Sequence, residues 1–141
     1  PKPKPLNINP KHLAQIQAAM HAVCEVPHGT AYRPNGLGIP GVELAGKTGT
    51  GQVRGISASE RSEGVLKNNK LPWKLRDHSI FVGYAPYDNP RFAASVLVEH
   101  GGSGAGLAAN ICRKILSKAL KRDGLGEQDI AEKTSPQTGE N

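Results

Sequence analysis

The stretch GVELAGKTGTGQVRG, residues 41–55, offers two chemistries for one lysine. Gly41, Gly46, Lys47 and Thr48 fit a phosphate-binding loop: a glycine, four residues, then Gly-Lys-Thr. From Lys47 onward the same residues read Lys-Thr-Gly-Thr, a box used in acyl-transfer sites when it lies on a strand beside a cleft. The two readings demand different surroundings. A phosphate loop must leave a buried strand and enter a helix, whose N-terminus and loop amides then bind the phosphates. Before Gly41 stands RPNGLGIP, with prolines at 34 and 40, which does not fit a buried parallel strand. After Lys47 stands TGTGQVRG, and its glycines make a poor first helical turn. No β-α-β unit surrounds the motif. The nucleotide reading is set aside.

The strand reading fits the residue types. In extended backbone Lys47 and Gly49 face one side, and Thr48 and Thr50 face the other. A lysine there gives positive potential for a substrate carboxylate. The threonine hydroxyls add hydrogen bonds, and the glycine lets a ligand approach the backbone closely. A strand N–H can serve as half of an oxyanion hole.

Working outward, Asn9 and Pro10 make a helix start, with a capping side chain followed by proline in the first turn. Leu13, Ile16, Met20 and Val23 recur at helical spacing up to Pro27. HGTAYRPNGLGIPG reads as loop. Residues 42–53 read as a strand and 54–77 as a long polar connection. HSIFVGYAP, residues 78–86, is a second strand. YDNP supplies turn chemistry, and RFAASVLVEH, residues 91–100, is a third strand. After GGSGAG a helix is expected from about Ala105 to Arg122, with Leu107, Ile111, Ile115 and Leu116 as its apolar stripe and Gly124 as its stop. The fold class is α+β, with an antiparallel sheet of at least three strands flanked by helices. The segment 125–141 is polar and expected to be disordered.

Composition bounds the alternatives. The chain has 141 residues, a formal net charge of +6, 37% hydrophobic and 4% aromatic residues, so Leu, Ile, Val and Ala must build its core. No apolar run reaches the roughly 20 residues of a membrane span. PKPKPLNINP lacks the apolar region of a signal peptide, so any export signal is expected upstream of it. The positive charge is read as solubility. Trp73 among Lys67, Lys70, Lys74 and Arg76 is the best candidate for a nucleic-acid patch, but a loop anchored by one tryptophan is the simpler account, and no nucleic-acid partner is expected. Cys24 and Cys112 lie on helical stripes and read as buried free thiols, with a disulfide as the alternative in an oxidising compartment. The histidines show no metal-ligand spacing. No metal or cofactor is expected.

The segments GKTGTGQV, then LRDHSIFVGYAPYDNPRFAASVLVEHGGSG, then a final helix, with HGTAYRP ahead of the box, resemble the C-terminal third of class B penicillin-binding proteins. The likeness runs from about Leu13 through Lys121. It is strongest to the elongation-type transpeptidases of Gram-negative bacteria, the penicillin-binding protein 2 group. Residues 1–124 would then be the C-terminal portion of a transpeptidase domain. The resemblance implies a parent anchored by an N-terminal helix at the periplasmic face of the inner membrane. Such a parent cross-links peptidoglycan stem peptides through a serine acyl-enzyme that β-lactams trap, and it works beside membrane proteins of the elongation machinery. By position, Lys47 would orient the terminal carboxylate of D-Ala-D-Ala and support proton movement at the serine. Thr48 and Thr50 would hydrogen-bond that carboxylate. The Thr50 N–H would be an oxyanion donor, and Gly49 would keep the strand clear. Asp77 and His78 match the family pattern and are expected to be structural.

The chain departs from that pattern in two places. None of its serines, at 57, 59, 62, 79, 95, 103, 117 and 135, has a lysine three residues later, so the S-x-x-K nucleophile is absent. The S-x-N motif is missing as well; YDN at 87–89 lies after the box and reads as a turn. The isolated chain is therefore expected to be inactive, and to self-associate through strand edges left bare. The alternative is a non-catalytic or sensor-type penicillin-recognising domain.

Overall fold

Asn9 caps the first helix, α1 (Pro10–Glu25), by accepting a hydrogen bond from the Lys11 amide at 3.0 Å, with Pro10 in the first turn. The computed structural model describes residues 7–125. After α1 come β1 (Ala45–Gly51), α2 (Ala58–Glu63), two single-turn 3-10 helices (Asn68–Lys70 and Trp73–Leu75), β2 (His78–Ala85), β3 (Phe92–Val98) and α3 (Leu107–Arg122). The three strands form one antiparallel sheet in the order β1-β2-β3. The expected disorder beyond residue 125 lies outside the described residues, while Leu125 itself packs on the core.

Each face of the sheet has its own character. In β2, Ser79, Phe81, Gly83 and Ala85 are buried, and the strand's other face carries Ile80, Val82 and Tyr84. Ala94, Val96 and Val98 of β3 pair opposite Gly83, Phe81 and Ser79 and join the same core. Helix α3 lies across that face, burying Ala108, Ala109, Cys112, Leu116 and Leu120. The C-terminal turn of α1 adds Cys24. On the other face Val82 and Leu97 remain exposed, Leu97 at 59%.

The expected elements recur with shifts. The box strand begins at Ala45 rather than at 42, because the Val42 amide closes a turn onto the Ile39 carbonyl at 3.2 Å and the Glu43 carbonyl accepts from the Tyr87 amide. It ends at Gly51, where the Val53 amide turns aside to the Asp77 carboxylate. The stripe expected on α3 holds at Leu116, which is buried, but not at two of its other members. Leu107 and Ile115 point outward, and the buried set starts instead at Ala108, whose amide donates to Ser79 Oγ. Small residues face the sheet, so the helix approaches it closely. On α1, Leu13 and Ile16 are exposed and Cys24 is the buried residue.

The connection 54–77 is not all loop. Ser57 and Glu60 form a reciprocal capping box at the start of α2, and Arg54 grips the Glu60 carboxylate with two bonds of 2.8 Å. The Arg54 guanidinium, with the Ser57 amide, pulls the Glu60 carboxyl down from 4.5 to about 2. A depressed folded value means stabilisation that is present above pH 4.5 and is lost as pH falls toward 2. Amide exchange across 60–64 should therefore accelerate over that interval, and the change should vanish in Glu60→Gln. Exchange independent of pH protonation in the wild-type chain, after correction for intrinsic rates, would refute the assignment.

Both cysteines are buried and free. Burial pushes the Cys24 thiol up to about 12 and raises that of Cys112, so both rest protonated and unreactive.

Candidate functional site: an edge strand carrying Lys-Thr-Gly-Thr

All four box residues lie on β1, at the edge of the sheet. The antiparallel register sets Lys47 opposite Val82, Thr48 opposite Phe81, Gly49 opposite Ile80 and Thr50 opposite Ser79. Residues paired across a ladder share a face. Lys47 and Gly49 therefore belong to the open face with Val82 and Ile80, and Thr48 and Thr50 to the face that α3 covers. Lys47 is exposed and takes part in none of the ion pairs among the described residues. Its Nζ donates to the Thr48 carbonyl at 2.6 Å. This is a single bond to a neutral acceptor, so the ammonium keeps donors for an incoming anion.

The strand is held from three directions. Behind it, Phe81 supports a glycine pair. A Cβ added to Gly46 would come within 2.3 Å of Phe81 Cζ, and one on Gly83 within 2.9 Å of Phe81 Cε1. The ring thus fills the space left by two glycines paired across β1 and β2. At the end of α1, the turn containing Thr30 reaches forward, and Thr30 Oγ1 lies 3.2 Å from Thr48 Oγ1. Thus HGTAYRP meets the box in space, although 18 positions separate the two threonines.

The third support is the GGSG segment. Gly104 approaches the backbone of both strands so closely that a Cβ there would lie 2.2 Å from the Ile80 carbonyl oxygen and 2.3 Å from that of Gly49. The segment is tied down by the Gly102 amide on the Asp77 carbonyl, and by Ser79 Oγ donating to the Ser103 carbonyl, both at 2.8 Å. Asp77 also exchanges hydrogen bonds with Asn68 through its amide and carboxylate. His78 Nδ1 accepts from the His100 amide at 2.9 Å. The His100 ring packs against Trp73 at a tilt of 59°, with centroids 4.3 Å apart. Asp77 and His78 thus organise the backbone beside the box, and the Trp73 indole, though 58% exposed, anchors its loop on His100. Sequence reasoning passed over Gly104, Thr30 and Phe81. The glycine cluster at 101–106 was a signal that the chain passes close to something, but what it passes close to is set by tertiary contact.

Among the described residues no group of three His, Cys, Asp or Glu side chains is placed to hold a metal ion, and no helix is long and apolar enough to cross a membrane.

The family model for the penicillin binding protein transpeptidase domain matches residues 1–117. The chain belongs to this transpeptidase family. It is 35% identical over 101 residues, 72% of its length, to the peptidoglycan D,D-transpeptidase MrdA of Salmonella typhimurium. It is 44% identical over 77 residues, 52% of its length, to the protein of that name from Acinetobacter baumannii, of which it covers 11%. Among solved structures it resembles PBP2 of Helicobacter pylori in complex with MreC, with a TM-score of 0.61, 28% identity, and coverage of 83% of this chain and 19% of that one. This chain spans 15% of the length of the Salmonella relative. The fold is thus part of a penicillin-binding, serine β-lactamase-like transpeptidase domain, of the PBP2 type.

Proposed function

We propose that this chain supplies the lysine-box wall of a peptidoglycan D,D-transpeptidase site, in a parent protein whose other segments supply the serine. The observation that carries the reading is Lys47 standing on the open face of an edge strand, its ammonium in no ion pair among the described residues, inside a chain of this family. In the proposed reaction a serine Oγ attacks the carbonyl carbon of the penultimate D-Ala of a stem peptide, and the terminal D-Ala departs with a proton on its nitrogen. An amine of a neighbouring stem then displaces the serine from the acyl-enzyme and forms the cross-link. Lys47 holds the substrate's terminal carboxylate and moves protons at the serine. In this reading the carboxylate lies along the free edge of β1, where Lys47 reaches it from one face and the hydroxyls of Thr48 and Thr50 from the other, while the Thr50 N–H polarises the carbonyl and Gly49 keeps the approach open. β-Lactams acylate the same serine. Localisation at the periplasmic face of the inner membrane, and partnership with elongation proteins of the MreC kind, extend the reading from the relatives.

With no S-x-x-K or S-x-N motif of its own, the 141-residue chain is inactive alone in this reading. Intact mass after benzylpenicillin treatment tests both parts. No adduct is expected on the chain, and one adduct is expected on the parent. Lys47→Ala in the parent should slow acylation about a hundredfold or more, as for loss of a positioned proton-transfer or charge-stabilising group. An adduct on the chain alone would overturn the division of labour. Full-rate acylation of Lys47→Ala would overturn the role of the lysine.

The same reading gives the chain a tendency to self-associate. The outer edges of β1 and β3 have no strand partner among the described residues, and Val82 and Leu97 are exposed on the open face. Light scattering at high concentration should report a dimer or larger assembly; a strict monomer would count against it.

A further inference from the structure

The turn that follows α1 brings one exposed side chain onto the box from a distant part of the sequence. Thr30 Oγ1 lies 3.2 Å from Thr48 Oγ1, and this is the one hydrogen bond of the Thr30 side chain among the described residues. We infer that Thr30 is a positioning residue, which presets the Thr48 hydroxyl for the carboxylate of the substrate. The inference rests on the reading of Lys47, Thr48 and Thr50 as a carboxylate-binding box and adds a residue to it.

The turn does not need the Thr30 side chain to hold its shape. On one side, the Gly29 amide donates to the Val26 carbonyl at 2.7 Å. A Cβ at Gly29 would fall 2.3 Å from the Ala22 carbonyl oxygen and 2.5 Å from that of Val23, so the backbone lies pressed onto the last turn of α1. On the other side, the Ala31 amide donates to the Val23 carbonyl at 2.9 Å. The Ala31 carbonyl accepts from Nη2 of Arg113 on α3. Ala31 is fully buried and Arg113 is 7% exposed. Thr30 therefore stands between two pinned neighbours, its backbone placed by α1 and α3 together. Its hydroxyl bonds to the box and to nothing in its own turn.

The receiving strand is located by the same helix. Glu25 Oε1 accepts from the Leu44 amide at 2.9 Å, and His21 Nε2 lies 2.9 Å from Glu43 Oε2. Helix α1 thus holds the chain on its way into β1 as well as the turn that carries Thr30. The two threonines of the box are left unlike each other. Thr48 has a hydroxyl partner, and exposed Thr50 has no side-chain hydrogen bond among the described residues. A hydroxyl already held in one rotamer meets an arriving carboxylate without first losing rotational freedom. Thr48 is preset in this way, and Thr50 adjusts to the ligand.

The test uses the full-length parent, which carries the serine, and compares benzylpenicillin with its methyl ester. The ester keeps the reactive ring and lacks the carboxylate charge. Acylation rates are read by intact mass. Thr30→Val keeps the branched shape without the hydroxyl. It should slow acylation by the acid about three- to tenfold, the worth of one hydrogen bond. It should leave the ester within about twofold, because the interaction lost is one with the carboxylate. Thr30→Ser should restore the acid rate. In a Thr48→Val background, Thr30→Val should have no further effect on the acid. Equal slowing of acid and ester, or an undiminished effect of Thr30→Val in the Thr48→Val background, would mark a merely structural residue and overturn the inference. So would an acid rate in Thr30→Val equal to that of the wild type. No adduct on the wild-type parent with either ligand would instead sink the transpeptidase reading, and this inference with it.

Discussion

Gly104→Ala should destabilise the chain by about 3 kcal/mol, the upper part of the usual range for forcing a methyl group into filled space. The cause is geometric. The added Cβ would fall 2.2 Å from the Ile80 carbonyl oxygen, 2.3 Å from the Gly49 carbonyl oxygen and 2.8 Å from the Gly49 nitrogen. All three are backbone atoms of paired strands, so no side-chain rotation relieves the clash. Either the GGSG segment lifts away, breaking the Gly102 and Ser79 hydrogen bonds, or β1 moves at its third box residue. Urea unfolding measures the loss, and Gly55→Ala is the matched control. Nothing lies within 4 Å of a Cβ at Gly55. That control should change stability by less than about 0.5 kcal/mol. If the two variants unfold alike, the close approach of Gly104 is not real.

The second large effect is expected at Phe81. Its side chain is the largest among the fully buried ones, and its ring occupies the space over Gly46 and Gly83. Phe81→Ala removes a buried aromatic between two residues that have no side chains with which to close the gap. The expected cost is about 4 kcal/mol. A domain of this kind holds in all about 5–15 kcal/mol, so a substantial unfolded population should follow. Phe81→Leu should lose less, because it retains most of the apolar contact. Thermal unfolding of the two variants gives the order directly, and equal losses would mean that the ring's contact with the glycine pair contributes nothing. Gly46→Ala should also destabilise the wild-type chain but be milder in the Phe81→Leu background, where Cζ is gone. That non-additivity is the signature of direct contact.

Much of the architecture was legible because local signals agreed with it. Asn9-Pro10 marked a helix start, Pro27 stands just past its end, and Tyr87-Asp-Asn-Pro90 marked the hairpin. The run HSIFVGYAP marked β2, and its alternation of buried and less buried residues emerged only with the sheet. The capping pair Ser57 and Glu60 was likewise present in the sequence and marks α2, although a six-residue helix has too little periodicity to stand out. What was not legible depends on the partner surface. On α3 the large aliphatics Leu107 and Ile115 suggested a stripe, but the helix lies so near the sheet that Ala108, Ala109 and Cys112 face it. Hydrophobicity ranks residues by size, whereas close packing here selects small ones. The ends of β1 were misjudged for a related reason: beside the local turn from Ile39 to Val42, they are set by Tyr87 on Glu43 and by Asp77 on Val53, both distant in the sequence from the residues they stop. For the candidate site, the motif and its alternation could be read, and its supports could not. Arg113 gave no sequence signal at all, since a lone arginine on a helix ordinarily faces water.

The contact between Thr30 and Thr48 carries a consequence for polarity. Two hydroxyls joined by one hydrogen bond own two protons, and the bond uses one of them. The direction of the bond is therefore free to reverse. When an acceptor arrives at Thr48, Thr48 points its proton outward and Thr30 donates into the vacated lone pair. When a donor arrives, Thr48 turns its proton back to Thr30 and offers a lone pair instead. Thr30 thus acts as a reversible ballast: it keeps Thr48 fully satisfied while letting one surface atom greet either kind of visitor. A valine at position 30 would keep the bulk and remove that indifference.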